Sequence, residues 1–399
     1  MKLTVLIDLD DTLLTNDMGV FLKAYLKALG NALTPYVPAE KMIPQLLLAT
    51  EKMTLKTSPL LTLEETFDNW FFPVLGLKKT ELAEPIKRFY EEDFPFIQKY
   101  TSPRDQAIKL VENIIASGFE IVVATNPLFP RSAVLQRIAW AGLKDHLSNI
   151  TGVTAYDNFH FAKPNPAYFA EILGQLGWPD QPAVMIGNSL SDDILPAAKL
   201  GMPVFWLNDK SEPLPPTVNG LSKSGNLDEV FPWLQKVASQ GALLDIKDPS
   251  GMLAVLNSTP AAFETICSRL NQEQWKQSSD QHEWSPTEIM CHMRDVDFDV
   301  NLKRLPVIIT EKNPFLQAVD SDHWAIERSY STQDGPTALK EFMNNRIKLV
   351  DLLSSLSEEG WNSPARHAIF GPTSLRELVS IIISHDQAHL KQIVKYVIV

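Results

Sequence analysis

Cysteine is nearly absent: the 399 residues hold two, Cys267 and Cys291, with no CxxC spacing. So few thiols exclude a framework of disulfide bridges and fit a reducing compartment. An excess of positive charge is also missing. Lys and Arg number 36 against 48 Asp and Glu, a formal net charge of −12. That disfavours a binder of phosphate backbones, whose affinity rests on Lys and Arg, so no nucleic-acid partner is expected. No uncharged apolar run is long enough to span a bilayer, and no membrane partner is expected. The first apolar run, Leu3–Ile7, meets acids at once and is too short for a signal peptide, so the expected location is cytoplasmic. Repeats and low-complexity tracts are lacking as well. What is present is ordinary globular composition, 45% hydrophobic and 21% charged. That is enough to bury cores, and the length favours two domains over one.

The two halves differ in rhythm. In residues 1–238, short β-branched apolar runs (Leu3–Ile7, Glu120–Ala124, Ala183–Ile186 and Pro203–Trp206) alternate with helical patterns. Continuous apolar runs bounded by Gly, Pro, Asn or Asp mark buried parallel strands. The expected fold is a doubly wound α/β parallel sheet, with a helical cap inserted at about 17–100. Within the insertion Phe67, Trp70, Phe71 and Phe72 form an aromatic cluster expected to be cap core. The proline-rich stretch 209–220 reads as a loop, Leu227–Val237 as a helix and 239–251 as a linker.

From 252 to 399 no strand alternation returns, and four helices are expected. Thr259-Pro260 opens the first, the capping box Ser285–Glu288 the second, Gly335-Pro336 the third and Thr373 the fourth. The third carries the stripe Leu339, Phe342, Met343, Ile347 and Val350. Four amphipathic helices in sequence predict an all-α four-helix bundle.

Chemistry concentrates at the ends of the predicted strands. The first runs into Asp8-Leu9-Asp10-Asp11-Thr12, the second into Thr125-Asn126, and the third into Gly187-Asn188-Ser189-Leu190-Ser191-Asp192-Asp193. Carboxylates there sit where open α/β sheets bind ligands, and their charge calls for a cation. All-oxygen ligation beside a phosphate suits Mg²⁺. The Thr125 hydroxyl and nearby amides could hold a phosphate, and Lys163, in Lys163-Pro164-Asn165-Pro166, supplies a positive charge.

These four motifs, in this order, resemble those of the haloacid dehalogenase (HAD) superfamily. The resemblance implies that Asp8 is the nucleophile, that Asp10 is the general acid and base, and that Thr125 and Lys163 stabilise the phosphoryl oxygens. It implies a Mg²⁺ site drawn from Asp8, Asp10, Asn188, Asp192 and Asp193, with the spacing leaving open which of the last two faces the metal. Asn188 departs from the pattern, which usually has Asp; its amide ligates without contributing charge. An acid at position 10 favours a phosphatase over a dehalogenase, and the substrate class implied is a small phosphorylated metabolite.

In the second half Ile289, His292, Val296 and Val300 share one helical stripe. Leu378, Ile382, His385, His389 and Ile393 share another. Three histidines on core-facing stripes predict a divalent-metal site with three protein ligands. Asp386 and Asp295 are candidate orienting groups, with at least one expected at the surface. His146, His160, His282, His323 and His367 follow no such pattern. The stretch Trp284–Asp295 followed by His385–Ile393 resembles the DinB-like four-helix family. That resemblance implies His292, His385 and His389 as ligands to Zn²⁺, Ni²⁺ or Fe²⁺, and homodimers formed through the bundle.

The reading is therefore a HAD-type phosphatase fused to a metal-binding bundle. Two alternatives stand beside it: a scaffold that binds a phosphorylated ligand without turnover, and a metal- and thiol-dependent transferase in the bundle.

Overall fold

The computed structural model describes residues 2–208, 210, 212–218, 220–241, 243–278, 280 and 283–397. Positions 209, 211 and 219 of the predicted loop, 242 of the predicted linker, and His282 lie outside them. The chain divides into two compact units. The first comprises Met1–Thr57, Leu61–Asn165 and Pro179–Asp245, the second Ser58–Leu60, Pro166–Trp178 and Ile246–Val399.

The first unit runs β1 (Thr4–Ile7), β2 (Leu14–Asn16), α1 (Met18–Leu33), α2 (Ala39–Thr54), α3 (Leu63–Leu75), α4 (Lys79–Arg88) and β3 (Thr101–Pro103). It continues with α5 (Asp105–Ala116), β4 (Glu120–Val123), α6 (Arg131–Ile138) and β5 (Ile150–Val153). Next in the chain comes α7 (Pro166–Gln175), which belongs to the second unit. The first unit then closes with β6 (Ala183–Gly187), α8 (Leu195–Ala198), β7 (Val204–Leu207), β8 (Lys223–Gly225) and α9 (Val230–Gln240).

Six strands form one sheet in the order β5-β4-β1-β6-β7-β8, every pair parallel. All four residues of β1 are fully buried, as a central strand covered on both faces requires. The order reverses at β1: β4 and β5 lie to one side, β6 to β8 to the other. Such a reversal opens a crevice past the strands' carboxyl ends. The four predicted strands are present within a residue or so. The two missed, β5 and β8, are the edge strands, and their short sequences (ITGV and KSG) lack a continuous apolar run.

The insertion is helical, as its patterning predicts. It leaves and re-enters the core through an antiparallel pair, β2 and β3, in register Leu14↔Pro103, Thr15↔Ser102 and Asn16↔Thr101. Of the aromatic cluster, Phe71 and Phe72 are core, while Trp70 is largely exposed under the Lys52 ammonium.

The second unit contains α7 and then α10 (Pro249–Cys267), α11 (Pro286–Val296), α12 (Leu302–Thr310), β9 (Phe315–Leu316) and α13 (Trp324–Glu327). It ends with α14 (Gly335–Ser354), α15 (Glu358–Trp361), β10 (Pro364–His367), β11 (Gly371–Ser374) and α16 (Leu375–Val394). The long helices make the expected bundle, with two corrections to the sequence reading. The first helix starts not at Thr259-Pro260 but ten residues earlier, capped by Asp248 with Pro249 in the first turn. Pro260 lies inside it, and the Leu256 carbonyl, deprived of its helical donor, takes Arg346 Nη1 at 3.4 Å instead. Strands do return, as the small sheet β11-β10-β9. Within the same unit α7 packs on α10, where a Cβ on Gly174 would meet the Ala262 methyl at 2.7 Å.

The capping box at Ser285 and Glu288 is present as predicted. The fourth helix is capped by Ser374, one residue past the expected Thr373. Between α11 and α12 the chain passes through a π-turn, Asp297–Asn301, whose extra residue rotates the following face.

Candidate functional site

Two clusters stand out, one in each unit. The first lies at the carboxyl edge of the parallel sheet. Hydrogen bonds from Asp8 N to Ile186 O and from Ala124 N to Ile7 O continue the ladder just past β1, bringing the ends of β1, β4 and β6 together. Asp8 is buried, and its Oδ1 accepts from Lys163 Nζ at 2.7 Å. The same ammonium donates to Asp193 Oδ1 at 2.5 Å. Lys163 is itself only 3% exposed. One buried cation thus faces two buried carboxyl groups.

The turn after Asp8 is tight. Asp11 adopts a left-handed conformation with φ of 54°. Its carboxylate accepts from Asn16 N at 2.9 Å, and Arg104 Nη1 donates to its carbonyl at 2.7 Å. The turn brings the Thr12 hydroxyl to 3.1 Å from Asp8 Oδ2 and 3.4 Å from Asn188 Oδ1. Asn188 is in turn anchored through its carbonyl, which accepts from Trp206 Nε1 at 2.9 Å. Burial pushes the Asp8 carboxyl up to about 7; Lys163 opposes the shift, while Asp193 and Asp10 add to it.

The fourth motif resolves into one inward and one outward acid. Asp193 is buried against Lys163, with its second oxygen accepting from Ser189 N at 3.0 Å. Asp192 is half-buried and accepts from the Ser191 hydroxyl. Gly187 makes the inward placement possible, since a Cβ there would stand 2.3 Å from Asp193 Oδ2. Thr125 is buried at the end of β4, its carbonyl accepting from Thr154 Oγ1 at 2.7 Å. Beside it, Asn126 Oδ1 accepts from Lys163 N at 3.3 Å.

Asp10 is placed differently from the expectation of a metal-facing carboxylate. Its Oδ1 is paired with Arg137 Nη2 and accepts from Asn16 Nδ2 at 2.8 Å. Arg137 is buried and lies over the rings of Phe21 and Phe129, 4.7 and 5.5 Å from their centroids. The sequence reading missed Arg137, because an arginine on a helix is read as surface. Among the described residues, the carboxylates of Asp8, Asp10, Asp192 and Asp193 do not gather three oxygens into one metal-sized shell.

The second cluster does gather. Among the described residues, His292, His385 and His389 are the one group of three or more His, Cys, Asp or Glu whose ligand atoms all fall within 4.8 Å of one another. His292 Nε2 and His389 Nε2 lie 3.0 and 3.2 Å from His385 Nε2. The His389 Nδ1–H donates to Gln392 Oε1 at 2.8 Å, which turns the Nε2 lone pair toward the other two rings. Trp284 stacks on the His389 ring at 5.9 Å and leans on His292 at 4.7 Å. Burial lowers all three imidazoles, His292 to about 2 and His385 and His389 to about 4, so each presents a neutral ring.

Neither candidate orienting acid is at the surface. Asp386 is fully buried and pairs with Arg346, whose Nε also donates to Asp297 at 2.8 Å. Asp295 is buried among Arg294, Arg328 and the Tyr330 hydroxyl.

The first unit has the architecture of a capped, doubly wound α/β domain with its acids at the sheet's switch point; the second is a helical bundle built around imidazoles. Residues 3–201 match the haloacid dehalogenase-like hydrolase family, and residues 256–393 match the DinB superfamily. The chain thus joins a HAD-like hydrolase domain to a DinB-superfamily domain.

An Oceanobacillus iheyensis protein named "Putative metal-dependent hydrolase" is 26% identical over 130 residues, spanning 33% of this chain and 73% of that one. Two solved structures are also similar to this chain. A HAD phosphatase from Thermococcus onnurineus has 21% identity and a TM-score of 0.39, covering 60% of this chain and 100% of its own. A 2-haloacid dehalogenase from Pseudomonas syringae has 22% identity and a TM-score of 0.41, covering 59% and 99%. No described helix is long and apolar enough to cross a membrane.

Proposed function

We propose that the HAD-like domain is a Mg²⁺-dependent phosphatase for a small phosphorylated metabolite, working through a phosphoryl group carried on Asp8. The observation that carries this reading is the buried Asp8–Lys163–Asp193 cluster at the switch point. Its donor types suit Mg²⁺: Asp8 and Asn188 present hard oxygens that both accept from the Thr12 hydroxyl, and burial, with Asp193 and Asp10 adding to it, raises the Asp8 carboxyl in the absence of a cation. Asp8 and Asn188 would hold the ion. When bound, it neutralises charge on the phosphoryl oxygens.

An Asp8 oxygen attacks phosphorus as the P–O bond to the leaving group breaks, and Lys163 neutralises charge beside it. Asp10 supplies the proton to the departing oxygen and later removes one from the water that hydrolyses the phosphoaspartate. Arg137 and Asn16 both hold its Oδ1, so the second carboxyl oxygen is the one placed to carry the proton. Thr125 stands at the neighbouring strand end, where its hydroxyl serves a phosphoryl oxygen.

In the bundle, three neutral imidazoles bring their Nε2 atoms together in two contacts, and with His389 Nε2 an acceptor a single N–H on His385 Nε2 can satisfy only one of them well. A divalent ion held by His292, His385 and His389 relieves that mismatch, and imidazole suits Zn²⁺, Ni²⁺ or Fe²⁺.

The test is phosphate release from a panel of phosphomonoesters, with and without Mg²⁺, by wild type and Asp8→Asn. Mg²⁺-dependent release that disappears in the variant supports the reading. Asn188 favours the second one, in which the domain binds phosphate without turnover; it would be supported by phosphate binding with no release from any ester.

A further inference from the structure

The cap holds a cavity of about 240 Å³ that the reaction described above does not use. Its walls come from α1 (Met18, Leu22, Tyr25), α2 (Leu46, Leu47), α3 (Phe67, Phe71) and the loop carrying Leu128 and Phe129. None of its described lining residues is charged. Most of its hydroxyls are already committed. Thr50 Oγ1 donates to Leu46 O at 2.9 Å, and Tyr25 and Tyr90 bond each other at 2.9 Å. Tyr156 carries the remaining one.

Two of the cavity's lining residues touch the groups that hold Asp10. Met18, on its wall, has its sulfur 3.1 Å from Asn16 Nδ2, the same amide that donates to Asp10. Phe129, also in the lining, lies under the Arg137 guanidinium paired with Asp10. It also opens outward. Met18, Leu22 and Leu47, all in its lining, are 43%, 38% and 45% exposed, so part of its apolar wall meets solvent.

We infer that this cavity receives the leaving group of the phosphate ester, and that the leaving group is an uncharged, apolar alcohol with an alkyl or aryl body rather than a sugar or polyol. The inference rests on the phosphatase reading for the identity of the leaving group. The cavity itself stands on its own geometry. Each polyol hydroxyl buried here without a partner would cost on the order of tenfold in affinity. Each methylene buried gains about fourfold.

The probes are n-alkylphosphonates from propyl to hexyl, which cannot be hydrolysed, with 2,3-dihydroxypropylphosphonate as the polar match. Their affinities are measured by calorimetry in the presence of Mg²⁺. The proteins are the full-length wild type, Leu22→Asp and Leu47→Asp, with Val74→Asp as a control at an exposed cap position outside the lining. Leu22, Leu47 and Val74 are all exposed enough to accept an acid without unfolding the cap.

The expected result is roughly 60-fold tighter binding from propyl to hexyl if all three added methylenes bury. The dihydroxypropyl compound should bind no better than propyl. The chain-length gain should fall at least tenfold in Leu22→Asp and Leu47→Asp, and persist in Val74→Asp. Affinity that is flat with chain length, unchanged in both pocket variants, or highest for the diol would overturn the inference. Turnover of hexyl phosphate is measured in parallel. A chain-length gain lost in the pocket variants, with no phosphate released, would sink the phosphatase reading and leave the apolar subsite standing. No binding of any phosphonate would overturn both.

Discussion

Replacing Asp8 with Asn should stabilise the metal-free protein at neutral and alkaline pH. Burial raises the folded Asp8 carboxyl to about 7, against 3.8 in its ordinary environment. The folded chain therefore keeps a proton there that the unfolded chain has released. A raised carboxyl gives a contribution that is full below about pH 4 and drains away as pH climbs through 7. A shift of about three units at 1.36 kcal/mol per unit sets the loss at about 4 kcal/mol at most. Asn carries no charge, so the variant avoids that loss, and Lys163 keeps Asp193 as its partner. At roughly 2–4 °C per kcal/mol for a domain of this size, the gap in Tm at pH 8 reaches on the order of 10 °C. The assay is thermal unfolding in EDTA between pH 5 and pH 8. Wild type should lose stability across that range while Asp8→Asn changes little. Mg²⁺ added at pH 8 should restore wild type alone. Equal pH dependence of the two proteins, or a variant less stable than wild type at pH 8 in EDTA, would refute the argument.

Three more outcomes follow from the geometry. Arg346→Met strands Asp297 and Asp386 as unpaired charges in the bundle and should cost about 3–5 kcal/mol, read by urea unfolding of that domain. Gly187→Ala drives a methyl into the Asp193 carboxylate; it should lower phosphate release at least tenfold while leaving the far-UV circular dichroism unchanged. His389→Ala removes one of three converging nitrogens, so metal retained after dialysis, measured by elemental mass spectrometry, should fall well below the wild-type stoichiometry.

The strand-end acids were legible because chemistry and topology coincide there: a fully buried β1 has to deliver Asp8 to the sheet's carboxyl edge. The histidine stripes were legible for a similar reason. Spacing of i and i+4 put His385 and His389 on one face, and His292 lay on the stripe of a helix announced by its capping box. What escaped were charges buried by pairing. Arg137 and Arg346 look like surface arginines in one dimension; only the fold shows that Asp10 comes from far along the chain to meet the first, and Asp297 and Asp386 to meet the second. The start of α10 escaped because Thr259-Pro260 imitates a helix start. Arg346 satisfies the carbonyl that Pro260 leaves free, so the helix continues through it. The edge strands β5 and β8 escaped because an edge needs no continuous apolar run.

The most direct test of the central claim is covalent. Protein mixed with a turned-over phosphomonoester and Mg²⁺ is quenched in acid, digested and examined by mass spectrometry. The account predicts a phosphoryl group on the peptide containing Asp8, absent when Mg²⁺ is withheld and absent in Asp8→Asn. Steady phosphate release with no phosphopeptide, or release that persists in Asp8→Asn, would contradict it.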